Sequence, residues 1–140
     1  MKTFEIMTKY IPLIASDDFG EWKIDAENDG TPEHPKQMPF VMYSKVVHDF
    51  IEDVYKFQQE HGDYKLNRYG EILEKNGIEW GQRSMSEVDV SSMNGQTVMA
   101  LIMGAVRAER FCDGALLGFF KDGSILKWLE RLQDIDDMQE

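Results

Sequence analysis

"NGQTVMALIMGAVRAERFCDG", residues 94–114, decides how the rest of the chain is read. From Thr97 to Val106 it holds no charged residue, and apolar side chains cover nearly the whole circumference of a helix drawn through it. A helix that is apolar all round belongs in the middle of a core. Asn94 stands where an N-cap is expected and Gly114 where a left-handed residue closes a helix, which sets the central helix at about residues 97–113.

The flanking segments have the one-sided pattern of helices that pack on such a centre. In "YSKVVHDFIEDVYKFQQEHG" (43–62), Val46, Val47, Phe50, Ile51, Val54 and Phe57 make one apolar stripe, with Ser44 as N-cap and Gly62 as stop. "DYKLNRYGEILEKNG" (63–77) buries Leu66, Tyr69, Ile72 and Leu73 in a shorter helix. "TFEIMTKYIPLIAS" (3–16) has Phe4, Met7, Ile11 and Ile14 at helical spacing, with Pro12 expected to kink or shorten the helix. After "ALLGFF" and the turn "KDG", the segment from Ser124 packs Ile125, Leu126, Trp128, Leu129 and Leu132, and residues 133–140 read as an acidic tail. Periodicity fails at 78–95, a connection expected to hold one helical turn. It fails also at 16–39, an acidic loop with three of the four prolines and a short strand around "EWKI". The expected fold is mainly α: residues 1–140 form a compact single domain of about five helices around the central one, with a small strand pair in the loops.

A chain of 140 residues with 42% hydrophobic content can bury one continuous core without disulfides or a structural metal. Its 15 Lys and Arg stand against 26 Asp and Glu, a formal charge of -11, and acids outnumber bases in every third of the sequence. That field repels nucleic-acid phosphates and anionic membranes, so direct nucleic-acid binding is disfavoured. It suits a basic protein partner, including one that itself binds nucleic acid. The longest apolar run, "TVMALIMGAV", is far short of the ~20 residues a membrane span requires. Cys112 has no second cysteine to pair with and the N-terminal residues lack a signal-peptide pattern, which points to the cytoplasm.

The charges at the end of the central stretch raise the functional question. On a helical projection Glu109 lies at about 20° from Val98, between it and Ile102, so its carboxylate is expected to be buried. A buried carboxylate needs a cation or several donors beside it, and arginine from a neighbouring element is the natural partner. One reading is an internal ion-pair network, with Cys112 a small core residue. The other makes Arg107, Glu109, Arg110 and Asp113 a ligand site: the arginines grip the carboxylate or phosphate of an anionic small molecule, Glu109 orients them, and Asp113 lies within i+3 reach of Arg110.

The segments "YIPLI", "FGEW", "MYSKVVHDFIEDVY", "YGEILEKNGI" and 84–132 together resemble the bacterial and archaeal family catalogued as domain of unknown function 6508. The sharpest part is "RAERFCDG", carried by Arg107, Glu109, Arg110, Phe111, Cys112, Asp113 and Gly114. The resemblance implies a small helical domain and supplies no reaction or ligand.

Other signals fail. "DAENDG" (25–30) starts like a calcium loop, but Lys36 stands where the bidentate Glu belongs. His34, His48 and His61 lack metal-ligand spacing, and no phosphate-binding glycine loop or nucleophile elbow is present. No metal or cofactor is therefore expected. Trp80 and Trp128 read as core, whereas Trp22, with Asp25, Glu27 and Asp29 in the acidic loop, is the candidate partner contact. The expected function is a non-enzymatic intracellular binding module engaging a basic protein, for example inhibiting a nucleic-acid-binding immune or regulatory protein. The alternatives are a small-molecule binder or minor enzyme built on Arg107, Glu109 and Arg110, and a structural domain of a larger assembly.

Overall fold

A computed structural model describes residues 2–24, 30–33, 35 and 39–138. In chain order the elements are α1 (Glu5–Thr8), α2 (Ile11–Ile14), β1 (Gly20–Lys23), β2 (Phe40–Tyr43), α3 (Lys45–Glu60), α4 (Tyr69–Lys75), α5 (Gln82–Glu87), α6 (Gly95–Ala108), α7 (Ala115–Lys121) and α8 (Ser124–Met138). Two short 3-10 turns, Gly62–Tyr64 and Leu66–Arg68, lead from α3 into α4. The fold is mainly helical with one two-stranded antiparallel sheet.

Helix α6 is the centre, buried without a break from Thr97 to Val106. Around it lie the stripe of α3 (Val47, Phe50, Val54, Phe57) and that of α8 (Ile125, Trp128, Leu129, Leu132, Ile135). Each large apolar side chain withdrawn from water there contributes roughly 1.5–3 kcal/mol, which explains why neither helix needs strong intrinsic propensity. Both expected caps are made: Ser44 Oγ accepts from Val47 N at 3.3 Å and Asn94 Oδ1 accepts from Thr97 N at 2.9 Å.

Two expectations are corrected, the end of the central helix and the state of the final acidic turns. The central helix ends at Ala108, not near 113, because residues 109–114 form a turn that starts the separate helix α7. Around Pro12 the first segment is shortened, divided into two one-turn helices; at the start of α2 its missing N–H costs nothing. The final acidic turns stay helical through Met138, because Ile135 and Asp136 are buried. Asp136 Oδ2 accepts from Phe4 N at 3.0 Å, so the last helix caps the first. The helical turn expected within 78–95 is α5, and "ALLGFF" forms α7 ahead of the last helix.

Lys127 Nζ donates to the carbonyls of Ser86 (2.7 Å) and Val88 (3.0 Å), and Arg131 Nε to that of Met93 (3.0 Å). These bonds fix the connection between α5 and α6 against α8, and so hold Trp80 and α5 beside the end of α6. Among the described residues no helix is long and apolar enough to cross a membrane.

Candidate functional site

The turn after α6 is built around one carboxylate. Glu109 takes the C-cap position and folds back over the following residues, accepting from Gly114 N (3.0 Å to Oε2) and Leu116 N (3.0 Å to Oε1). Tyr43 at the end of β2 donates its hydroxyl to Glu109 Oε1 at 2.6 Å, and the same hydroxyl oxygen accepts from Leu117 N at 3.0 Å. Ala115 N donates to the Cys112 carbonyl at 3.0 Å. The orphan donors at the start of α7 are thus satisfied by Glu109, Tyr43 and the turn itself. Burial, reinforced by the Glu109 carboxylate, pushes the Tyr43 phenol well above its ordinary range, so it stays protonated and donating.

The β1–β2 hairpin straps this turn. In the register Gly20↔Tyr43 and Trp22↔Val41, Tyr43 and Trp22 share the face that meets it. The Trp22 indole lies over Gly114, where an added Cβ would fall 2.3 Å from Cζ2. Gly114 also has φ 89°, a left-handed conformation, so two independent constraints ask for glycine there. The hairpin is anchored at its base by Phe19, whose ring packs on Phe120 at 5.1 Å, and by Ser44, whose hydroxyl donates to Asp17 Oδ2 at 2.6 Å.

The residues named from sequence are therefore divided among separate places. Glu109 is surrounded by donors, as expected, but they are a tyrosine hydroxyl and backbone amides and not an arginine. Arg107 is half-buried with its guanidinium 5.7 Å from the centre of the Tyr55 ring, and its Nε is buried without a hydrogen-bond partner among the described residues. Arg110 is exposed and makes no ion pair among them. Cys112 is exposed, not a core residue, because the turn carries it off the helix. Trp22 is 45% exposed; Asp25, Glu27 and Asp29, and with them the calcium-loop imitation, lie outside the described residues, as does His34.

On the flank of the same turn lies a cleft of about 330 Å³, lined by Trp80, Met85, Phe111, Asp113 and Phe119 together with Gln82 and small residues of the turn. The Trp80 and Phe111 rings meet edge to face at 5.8 Å, and the Trp80 indole N–H donates to the Gly104 carbonyl at 3.3 Å. Trp80 is 45% exposed, not core, and Phe111 is 76% exposed. Sequence patterns do not reveal this aromatic pair. The only signal for it is Phe111 among charged residues, at a place where the helical pattern runs on past the true end of α6.

No curated protein and no solved structure matches the chain. A family model described as a family of unknown function, DUF6508, matches residues 2–138. That match covers nearly the entire sequence, and the chain belongs to the DUF6508 family.

Proposed function

We propose that this protein is a non-enzymatic cytoplasmic binding module whose hairpin engages a basic protein partner. The observation that carries the reading is the outward face of the β1–β2 hairpin. Strand alternation puts Trp22 and Tyr43 on the face that meets the turn after α6, with Trp22 still 45% exposed, and puts Phe40 and Met42 on the opposite face, 37% and 53% exposed. Exposed apolar side chains on a small sheet held rigidly from below are the usual core of a protein contact. The connection between the strands adds Asp25, Glu27, Asp29 and Glu33 against the single base Lys36, on a chain of net charge -11. A partner with a basic surface and an apolar centre complements both features, and a protein whose basic face binds nucleic acid would be inhibited by such contact.

What supports this over an anionic-ligand site is the use already made of the donors. Glu109 and Tyr43 occupy the amides at the start of α7, and neither Arg107 nor Arg110 is among the described residues that line the cleft beside Trp80 and Phe111. The test is affinity capture from host lysate with the wild-type protein and a Phe40→Ser, Met42→Ser variant. A basic partner that is retained by the wild type, released by salt, and lost in the variant supports the reading. Capture of no basic protein, or equal capture by the variant, sinks it.

A further inference from the structure

We propose that the cleft beside the turn after α6 is a binding site for a small aromatic organic cation. Its walls are aromatic and apolar: Trp80 and Phe111 form an edge-to-face corner, with Met85 and Phe119 behind them. Because the Trp80 N–H is already spent on the Gly104 carbonyl, the indole offers the cleft a π face and no donor that an anion could use. A volume of about 330 Å³ accepts a one- or two-ring ligand, within the range of ordinary small-molecule sites.

The charge of the ligand follows from the lining. Among the described lining residues there is no Lys, Arg or His, and Asp113 is the carboxylate. Asp113 makes no ion pair among the described residues, so its charge is not already compensated by a neighbouring side chain. Arg110, three residues earlier on the turn, is exposed and does not line the cleft. A cation over the ring faces gains from their quadrupole and from Asp113 together. An anion would meet the carboxylate with the neutral Gln82 amide and no cationic side chain among the described lining residues to offset it, and the net charge of -11 sets the long-range field in the same direction. Phe111 suits a binding residue: with 76% of its surface in water it contributes little to the core, yet its ring closes one side of the cleft.

This site is separate from the outward hairpin face, so its test does not depend on finding a protein partner. Naphthylethylammonium, naphthylethanol and naphthylacetate, which share a ring system and differ in charge, are titrated into the protein. Binding is followed by calorimetry and by backbone amide shifts. The ammonium compound should bind about fivefold or more tighter than the alcohol, with the acetate weakest, and the shifts should centre on residues 80–85 and 108–115. Asp113→Asn should reduce the ammonium compound to the affinity of the alcohol while leaving the alcohol unchanged. Phe111→Ala should weaken both, and neither exposed substitution should lower the melting temperature appreciably. Equal binding of all three probes, preference for the acetate, shifts centred elsewhere, indifference to Asp113→Asn, or no binding of any probe would each overturn the proposal.

Discussion

Glu109 is the residue on which the turn depends, because one carboxylate satisfies donors from two elements. Removing it strands the Gly114 and Leu116 amides and leaves the half-buried Tyr43 hydroxyl without its acceptor. Glu109→Ala should therefore cost about 2–4 kcal/mol in denaturant unfolding, above the loss typical of a single helix cap. Tyr43→Phe should cost about 1–2 kcal/mol, since it removes one hydroxyl that both donates and accepts. The two substitutions share partners, so the double variant should lose clearly less than their sum. Strict additivity would show that the two side chains act independently and that the geometry around Tyr43 is not as described. Gly114→Ala probes the same turn from the other side. It adds a methyl 2.3 Å from the Trp22 ring at a backbone conformation that alanine disfavours, so it should destabilise by about 1–3 kcal/mol and shift the tryptophan emission. A change in stability without a change in emission would mean that Trp22 does not cover this glycine.

At the scale of elements, short helices survive here because others hold them. Helices α1 and α2 are one turn each, below the length at which a helix is stable alone, and they are tied to α3 through Asp53. Tyr10 donates its hydroxyl to Asp53 Oδ2, and Lys9 Nζ lies 3.0 Å from the same carboxylate. Burial alone would raise the Asp53 pKa, but the hydrogen bonds and charge from Tyr10 and Lys9 outweigh it and hold the group below its ordinary value. A depressed carboxylate pKa contributes stability above the unfolded value, about 3.9, that is lost as pH falls through the folded one. Asp53→Asn should thus be less stable than wild type at neutral pH, with the gap closing as unfolding is measured at progressively lower pH below about 4. A gap that is constant with pH would remove charge from the explanation. The same dependence on distant partners sets what is legible from sequence. The stripes of α3 and α8, the caps Ser44 and Asn94, and the buried run of α6 repeat within a few residues and can be read directly. The end of α6 cannot, because the Glu109 carboxylate at its C-cap is held by the Tyr43 hydroxyl, which is remote in the chain. Nor can the helical last turns, whose Asp136 finds its partner at Phe4.

At the scale of the molecule, charge acts on folding and on binding with opposite signs. The excess of acids gives -11, while the ion pairs described are mostly between exposed side chains, such as Lys45 with Asp49 and Arg83 with Glu87. Exposed pairs contribute about 0–1 kcal/mol each, whereas self-repulsion is summed over the whole surface. Salt screens both, but repulsion outweighs the pairs in a chain this acidic, so adding salt from low ionic strength to ~0.3 M at neutral pH should raise the melting temperature. Near the sequence isoelectric point of about 4.7 the repulsion vanishes, and the same addition should have little effect or a slightly unfavourable one. Scanning calorimetry at the two pH values reads both limbs, and a fall in melting temperature with salt at neutral pH would mean that local ion pairs dominate instead. Association with a basic partner must weaken over the same salt range, because its attraction is screened by the same ions. Release of a captured protein at an ionic strength where this chain is more stable therefore reflects loss of complementary charge, not unfolding of the hairpin that presents it.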